Sequence, residues 1–144
     1  MNFLVFGKDK YKADFDTKNK KFVAKGATGK VYKIYDRKQR LWAMKAIFAA
    51  DLEQFTVRLL EVLPFLRLQS SHPNIVQYKT MYVWQNDDKS IRCKMIMEYF
   101  GESDLQTLIT KKKNEVDTVK FQQFMQQIIS ANAFLASNGI NLRI

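Results

Sequence analysis

Cysteine occurs once in these 144 residues, at Cys93. One thiol excludes an intrachain disulfide framework and fits a reducing compartment, the cytoplasm or the nucleus. Histidine also occurs once, at His72, with no cysteine or carboxylate at ligand spacing beside it. It is read as a structural loop residue, and no metal site is expected. No apolar run approaches the roughly 20 residues that span a bilayer. The patch Phe3-Leu4-Val5-Phe6 is too short for a signal-peptide core and has no basic region before it. Internal repeats and low-complexity tracts are missing. Carboxylates are scarce beside cations, with 14 Asp and Glu against 24 Lys and Arg, a net charge of +10. Such a balance permits nucleic acid or acidic lipid, but no RNP, zinc or helix-turn-helix signature accompanies it. The lysines are scattered, so a solvated surface facing an anionic small ligand or an acidic partner is the simpler expectation. Neither a membrane nor a nucleic-acid role is expected.

What is present is ordinary globular material. The hydrophobic fraction is 47%, enough for one compact unit. Residues 1–21 read as a polar, lysine-rich lead-in with one candidate edge strand at 3–6. Strands follow near 21–25, 30–35 and 41–48. Residues 51–69 read as a helix, with Asp51 as N-cap and Phe55, Leu59, Val62 and Leu66 at helical spacing. Pro64 inside it forfeits one hydrogen bond, so the helix is kinked beside Glu61 or its first half is separate. Alternation over 76–84 predicts a strand, 85–90 a hairpin loop, and 91–99 the returning strand. A helical pattern begins at Ser103-Asp104-Leu105. Another spans 117–138, with Phe121, Phe124, Met125, Ile128, Ile129 and Leu135 on one face and Gly139 just beyond its end.

The stretch 25–47 carries the chemistry. Gly26 and Gly29 lie three apart in a hairpin turn, where the backbone can approach a ligand and offer N–H groups to anionic oxygens. On the second strand after them, Lys45 sits among Ala43, Met44, Ala46 and Ile47. A cation in an apolar run is costly to bury unless an anion meets it. Together the two features ask for a phosphate between them.

This ordered set resembles the protein-kinase family. The family's G-x-G-x-x-G-x-V falls on Ala24, Gly26, Gly29 and Val31, with alanine for the first glycine. Its V-A-I-K falls on Trp42, Ala43, Met44 and Lys45. His72-Pro73-Asn74-Ile75-Val76 and the run Met95 to Leu105 (M-I-M-E-Y-F-G-E-S-D-L) occupy further family positions. The resemblance implies an α+β fold: a small lobe of five antiparallel strands and one helix over 1–100, then the first two helices of the large lobe over 101–144. It implies ATP in a cleft, in a serine/threonine kinase lineage. Met97 takes the gatekeeper position, Glu98 to Phe100 the segment whose backbone meets adenine, and Asp104 the acidic residue near the ribose. Val31, Ala43 and Met97 would line the adenine slot. Lys45 would pair with a helix glutamate, Glu61 or alternatively Glu53.

The match decays at the end. The H-R-D triplet falls on Leu142, Arg143 and Ile144, so only the arginine agrees and the proton-accepting aspartate is isoleucine. The family's metal-holding asparagine and D-F-G aspartate lie outside these residues. The expectation is a domain truncated at the catalytic loop, inactive as it stands, with Mg²⁺ binding weak or absent. The alternative is a pseudokinase-like module acting on a partner kinase or its substrate. A protein partner is expected to cover the apolar face of the 117–138 helix.

Overall fold

Alternating apolar and polar side chains become six strands of one sheet, in the order β1-β5-β6-β4-β3-β2. The computed structural model describes residues 4–26, 29–68, 71–101 and 118–140. In chain order these are β1 (Leu4–Phe6), α1 (Lys8–Asp14), β2 (Lys21–Lys25), β3 (Lys30–Tyr35), β4 (Leu41–Ala49), α2 (Leu52–Leu66), β5 (Tyr78–Gln85), β6 (Ile91–Met97) and α3 (Thr118–Ser137). The chain divides into two units, Met1–Arg67 with Gln77–Phe100, and Leu68–Val76 with Gly101–Ile144.

The α+β small-lobe architecture stands, with one correction to the strand count. Leu4–Phe6 adds a sixth strand, and it pairs in parallel with β5, Leu4 opposite Met81 and Phe6 opposite Val83. The other pairings are antiparallel. So short a strand holds because Leu4 packs in the core on one face of the sheet and Val5 in the core on the other. The Gly7 N–H then donates to the Val83 carbonyl at 3.0 Å.

The lead-in also folds into a helix that the sequence did not announce. Among Lys8–Asp14 only Tyr11 is buried, too little for a periodic signal. Yet Tyr11 and Phe15 are 4% and 2% exposed, and they close a core with Ile34, Met44, Tyr82 and Ile96. Tyr11 stacks near Trp84 at 5.9 Å, and Phe15 meets Tyr82 edge-on at 5.8 Å. Arg37 fastens the segment from outside, donating to the carbonyls of Ala13 and Lys12.

On the opposite face α2 covers Ile47, Met81, Val83, Cys93 and Met95. Its start is as expected: the Asp51 carboxylate accepts from the Gln54 N–H at 2.8 Å. Phe55, Leu59, Val62 and Leu66 face the sheet. Pro64 lies in the last turn of one continuous helix, so the bond it forfeits is near the end and the helix is not split.

In the second unit, α3 ends at Gly139 (φ 77°), with Ile140 N–H on the Leu135 carbonyl and Gly139 N–H on that of Ala136. This is the expected glycine C-terminus. His72 is structural. Its Nδ1 accepts from the Asn74 N–H at 3.0 Å and its Nε2 lies 3.0 Å from Ser130 Oγ. Because Nδ1 must accept, the neutral ring carries its proton on Nε2 and donates to the serine. The ring also packs 5.1 Å from Phe134. Along α3, Leu135 is buried while Phe121, Met125, Ile128 and Ile129 are exposed.

Candidate functional site

Residues directly opposite in an antiparallel pair share a face. Lys45 on β4 lies between Val31 on β3 and Met95 on β6, and Ala43 lies between Lys33 and Met97. These six residues therefore occupy the α2 face of the sheet, beside Ile47. Ala43 is buried, while Val31, Lys45 and Met97 are half-buried. A lysine thus stands two residues from a small alanine, on a surface of valine and methionine.

The glycine turn closes through the Gly26 N–H on the Gly29 carbonyl at 2.8 Å. Gly29 passes so close to β4 that a Cβ there would sit 2.2 Å from the Ala46 carbonyl oxygen. Only glycine fits, so one motif glycine is demanded by the crossing of β4 itself. Gly26 has no such neighbour, its nearest approach being 3.6 Å. Ala24 is exposed opposite Val31, after a register shift that follows Phe22.

Beyond Met97 the chain leaves the sheet. The Glu98 N–H donates to the Gln77 carbonyl at 3.2 Å, which fixes where the Glu98 carbonyl begins. Glu98 and Tyr99 are half-buried and Phe100 is exposed. The Lys33 ammonium lies 5.1 Å from the Tyr99 ring centroid, a cation–π contact.

Glu61 is exposed on α2, and it forms no ion pair or hydrogen bond with Lys45 among the described residues. The helix period explains this: Glu61 is about 100° around from the sheet-facing Val62. Arg58 stands on the sheet side instead, next to Ile47, Leu59 and Cys93, its Nε buried without a hydrogen bond. Glu53 is exposed in the first turn. Asp104, the helix expected from Ser103 and positions 142–144 lie outside the described residues.

The family model for the protein kinase domain matches residues 17–143. This chain belongs to the protein kinase family. The kinase domain is also similar to mitogen-activated protein kinase 15 of Xenopus laevis, 32% identical over 123 residues that cover 84% of this chain and 20% of that protein. The chain thus spans about a fifth of the length of the curated relative it matches.

Two residues on the kinase domain's site face were not singled out by motif, Lys33 and Met95. Counting every second residue from Val31 and back from Met97 finds both. The turn between β3 and β4 is held by Asp36. Burial alone would push its carboxyl up. The hydrogen bonds from Arg40 N–H, Trp42 Nε1, Arg40 Nε and Lys38 N–H outweigh that and hold it well below the usual carboxylate range. Cys93, on β6 opposite Ile47, is inert: burial pushes its thiol up to about 12. No group of three or more His, Cys, Asp and Glu side chains is placed to hold a metal among the described residues. No helix among them is long and apolar enough to cross a membrane.

Proposed function

We propose that this kinase domain binds ATP on the face carrying Val31, Ala43, Lys45 and Met97, as the nucleotide-binding part of a serine/threonine-type protein kinase. The observation that carries the reading is the β4 register, which sets Ala43 level with Met97 and Lys45 level with Val31. A flat base needs an apolar slot with a few fixed backbone groups at its edge. Ala43 leaves the room, Val31 and Met97 supply apolar walls, and the Glu98 carbonyl and Phe100 N–H supply an acceptor and a donor. Lys45 lies one residue pair further along, where phosphates attached to that base would reach its ammonium. The N–H groups of the glycine turn add donors for the same anion.

Val31, Ala43, Lys45 and Met97 offer Mg²⁺ no carboxylate, and Ile144 occupies the position of the family's proton acceptor. The 144 residues by themselves therefore bind nucleotide without transferring phosphate. A second reading, a regulatory module that engages a partner kinase, draws on Glu61 standing away from Lys45 and on the exposed apolar side chains of α3. A partner protein covering Phe121, Met125 and Ile129 belongs to that reading. A cytoplasmic or nuclear location rests on the single, buried thiol.

Calorimetric titration tests the reading. Ala43→Trp fills the slot and should abolish binding of adenosine and ATP alike. Lys45→Met should weaken ATP by about tenfold, the loss of one charge-assisted contact, and leave adenosine nearly unchanged. Magnesium should matter little to either. A wild-type chain that is folded by circular dichroism yet binds neither ligand at millimolar concentration would sink the proposal.

A further inference from the structure

The other face of the same sheet carries a second set of charges. Ala46 on β4 lies between Lys30 on β3 and Lys94 on β6, and Phe48 is opposite Arg92. Trp84 on β5 is opposite Arg92 in turn. With strands about 4.8 Å apart, Lys30 and Lys94 start roughly 10 Å from each other across one small side chain. Aromatic rings hold the cations in place. The Arg92 guanidinium lies 4.7 Å from the Phe48 centroid, Lys20 4.9 Å from Tyr32, and Lys94 6.0 Å from Trp84. Among the described residues, none of Lys20, Lys30, Arg92 and Lys94 forms an ion pair. Asp88, in the β5–β6 turn, senses Arg92, but it is taken up by Ser90. The Tyr11 and Phe15 side chains of the α1 segment close over Ile34, Met44 and Ile96.

Lys94 makes this more than a solvated lysine surface. It is half-buried. Burial first, then Lys20, Arg92 and Lys8, push its pKa down to about 8. A crowded, partly desolvated ammonium with no counter-charge is a standing cost to the fold, and an arriving carboxylate removes it. We propose that the strip formed by Lys20, Lys30, Arg92 and Lys94 docks an acidic peptide segment of a protein partner, laid across the strands over Ala46. An extended peptide repeats its side chains on one side every ~7 Å, short enough for two carboxylates to reach the lysines on either side. Unpaired nucleic acid fits less well, because it needs open ring faces on which bases stack, and here cations already lie over the rings of Phe48 and Tyr32. The strip is separate from the nucleotide face, which points the other way.

Anisotropy of a labelled octaglutamate peptide, titrated with the whole chain at low salt, tests this. Saturable binding that weakens as salt rises is expected. The pair Lys20→Glu with Lys30→Glu should reduce affinity about tenfold or more. The pair Lys12→Glu with Lys38→Glu, the same change in net charge placed elsewhere, should stay within about twofold of wild type. Lys94→Met, which leaves the exposed charges in place, should also weaken binding. Saturating adenosine should change nothing, which keeps the result independent of the nucleotide site. Circular dichroism confirms that each variant is folded. Absence of saturable binding, equal losses in the two paired variants, or tighter binding of oligothymidylate or phosphatidylserine vesicles than of the peptide would each overturn the proposal.

Discussion

One sheet presents two faces of opposite character. On the α2 face, a single lysine of β4 stands among valine, alanine and methionine, the face proposed above for the nucleotide. On the α1 face, several cations lean on aromatic rings beside a short helix that seals the remaining apolar side chains. Both faces bury a core, but they do it with different material. The α2 core is closed by a helix with a regular apolar stripe, the α1 core by two aromatic residues four apart. The difference teaches that cover for a sheet need not come from an amphipathic helix: two large rings suffice when the sheet beneath supplies its own aromatics.

The sharpest way to break this comparison is to remove one of those rings. Phe15→Ala should cost about 3–5 kcal/mol, because the site is 2% exposed and bounded by Tyr11 and Tyr82. Urea unfolding followed by tryptophan fluorescence reads it. A cost below about 1 kcal/mol would mean that the α1 core is dispensable. A fragment beginning at residue 17, where the family match starts, should lose more still, since it lacks β1 and α1 altogether.

Next in size is Asp36→Asn. Four donors converge on this carboxylate, and the neutral amide should cost about 1–3 kcal/mol at neutral pH. Folding lowers this pKa. Its stabilisation is therefore complete above the ordinary carboxyl value of about 4 and fades as pH falls below it. Thermal unfolding of the wild type between pH 5 and 2 should fall more steeply than that of the variant, and parallel curves would refute the assignment.

Arg58→Leu should be stabilising by about 1 kcal/mol, because an unpartnered buried Nε gives way to an apolar side chain. A loss of stability in thermal melts would mean that Arg58 has a partner under α2. The smallest effect is expected at Lys94→Met, a gain of roughly 1 kcal/mol or less at pH 7 once solvent screening is counted. Folding lowers the pKa of this base to about 8. The penalty is thus full below that pH and vanishes above the ordinary lysine value of about 10.4. Wild-type stability should rise relative to the variant as pH increases between the two values. A difference that does not change with pH would assign the effect to packing.

Legibility followed the same division. Lys45, Ala43, Val31 and Met97 were grouped by the resemblance to the kinase family, and the register of β3, β4 and β6 sets them on one face. Asp51 as N-cap, the sheet-facing side of α2 and Gly139 at the end of α3 were legible for equally local reasons. The α1 segment was not, since its lysines hide a helix whose only apolar anchors are Tyr11 and Phe15. The parallel pairing of β1 depends on β5, some 75 residues later, and no local pattern encodes such a partner. Gly29 was read as giving phosphate access; its tight approach to Ala46, a property of the neighbouring strand, was not legible. For Glu61, the motif spacing names a position along α2, while the apolar stripe of Phe55, Leu59, Val62 and Leu66 already turns that position away from the sheet.

His72 gives the second unit a built-in spectroscopic reporter. It is the chain's one imidazole, so every imidazole-nitrogen resonance in a nitrogen-15 spectrum belongs to it without selective labelling. An accepting Nδ1 and a donating Nε2 hold one tautomer, with the two nitrogens widely separated in chemical shift. Were the loop to lift from Ser130, tautomer averaging would draw those two signals together, and the closing of the gap would time the undocking of the loop from α3.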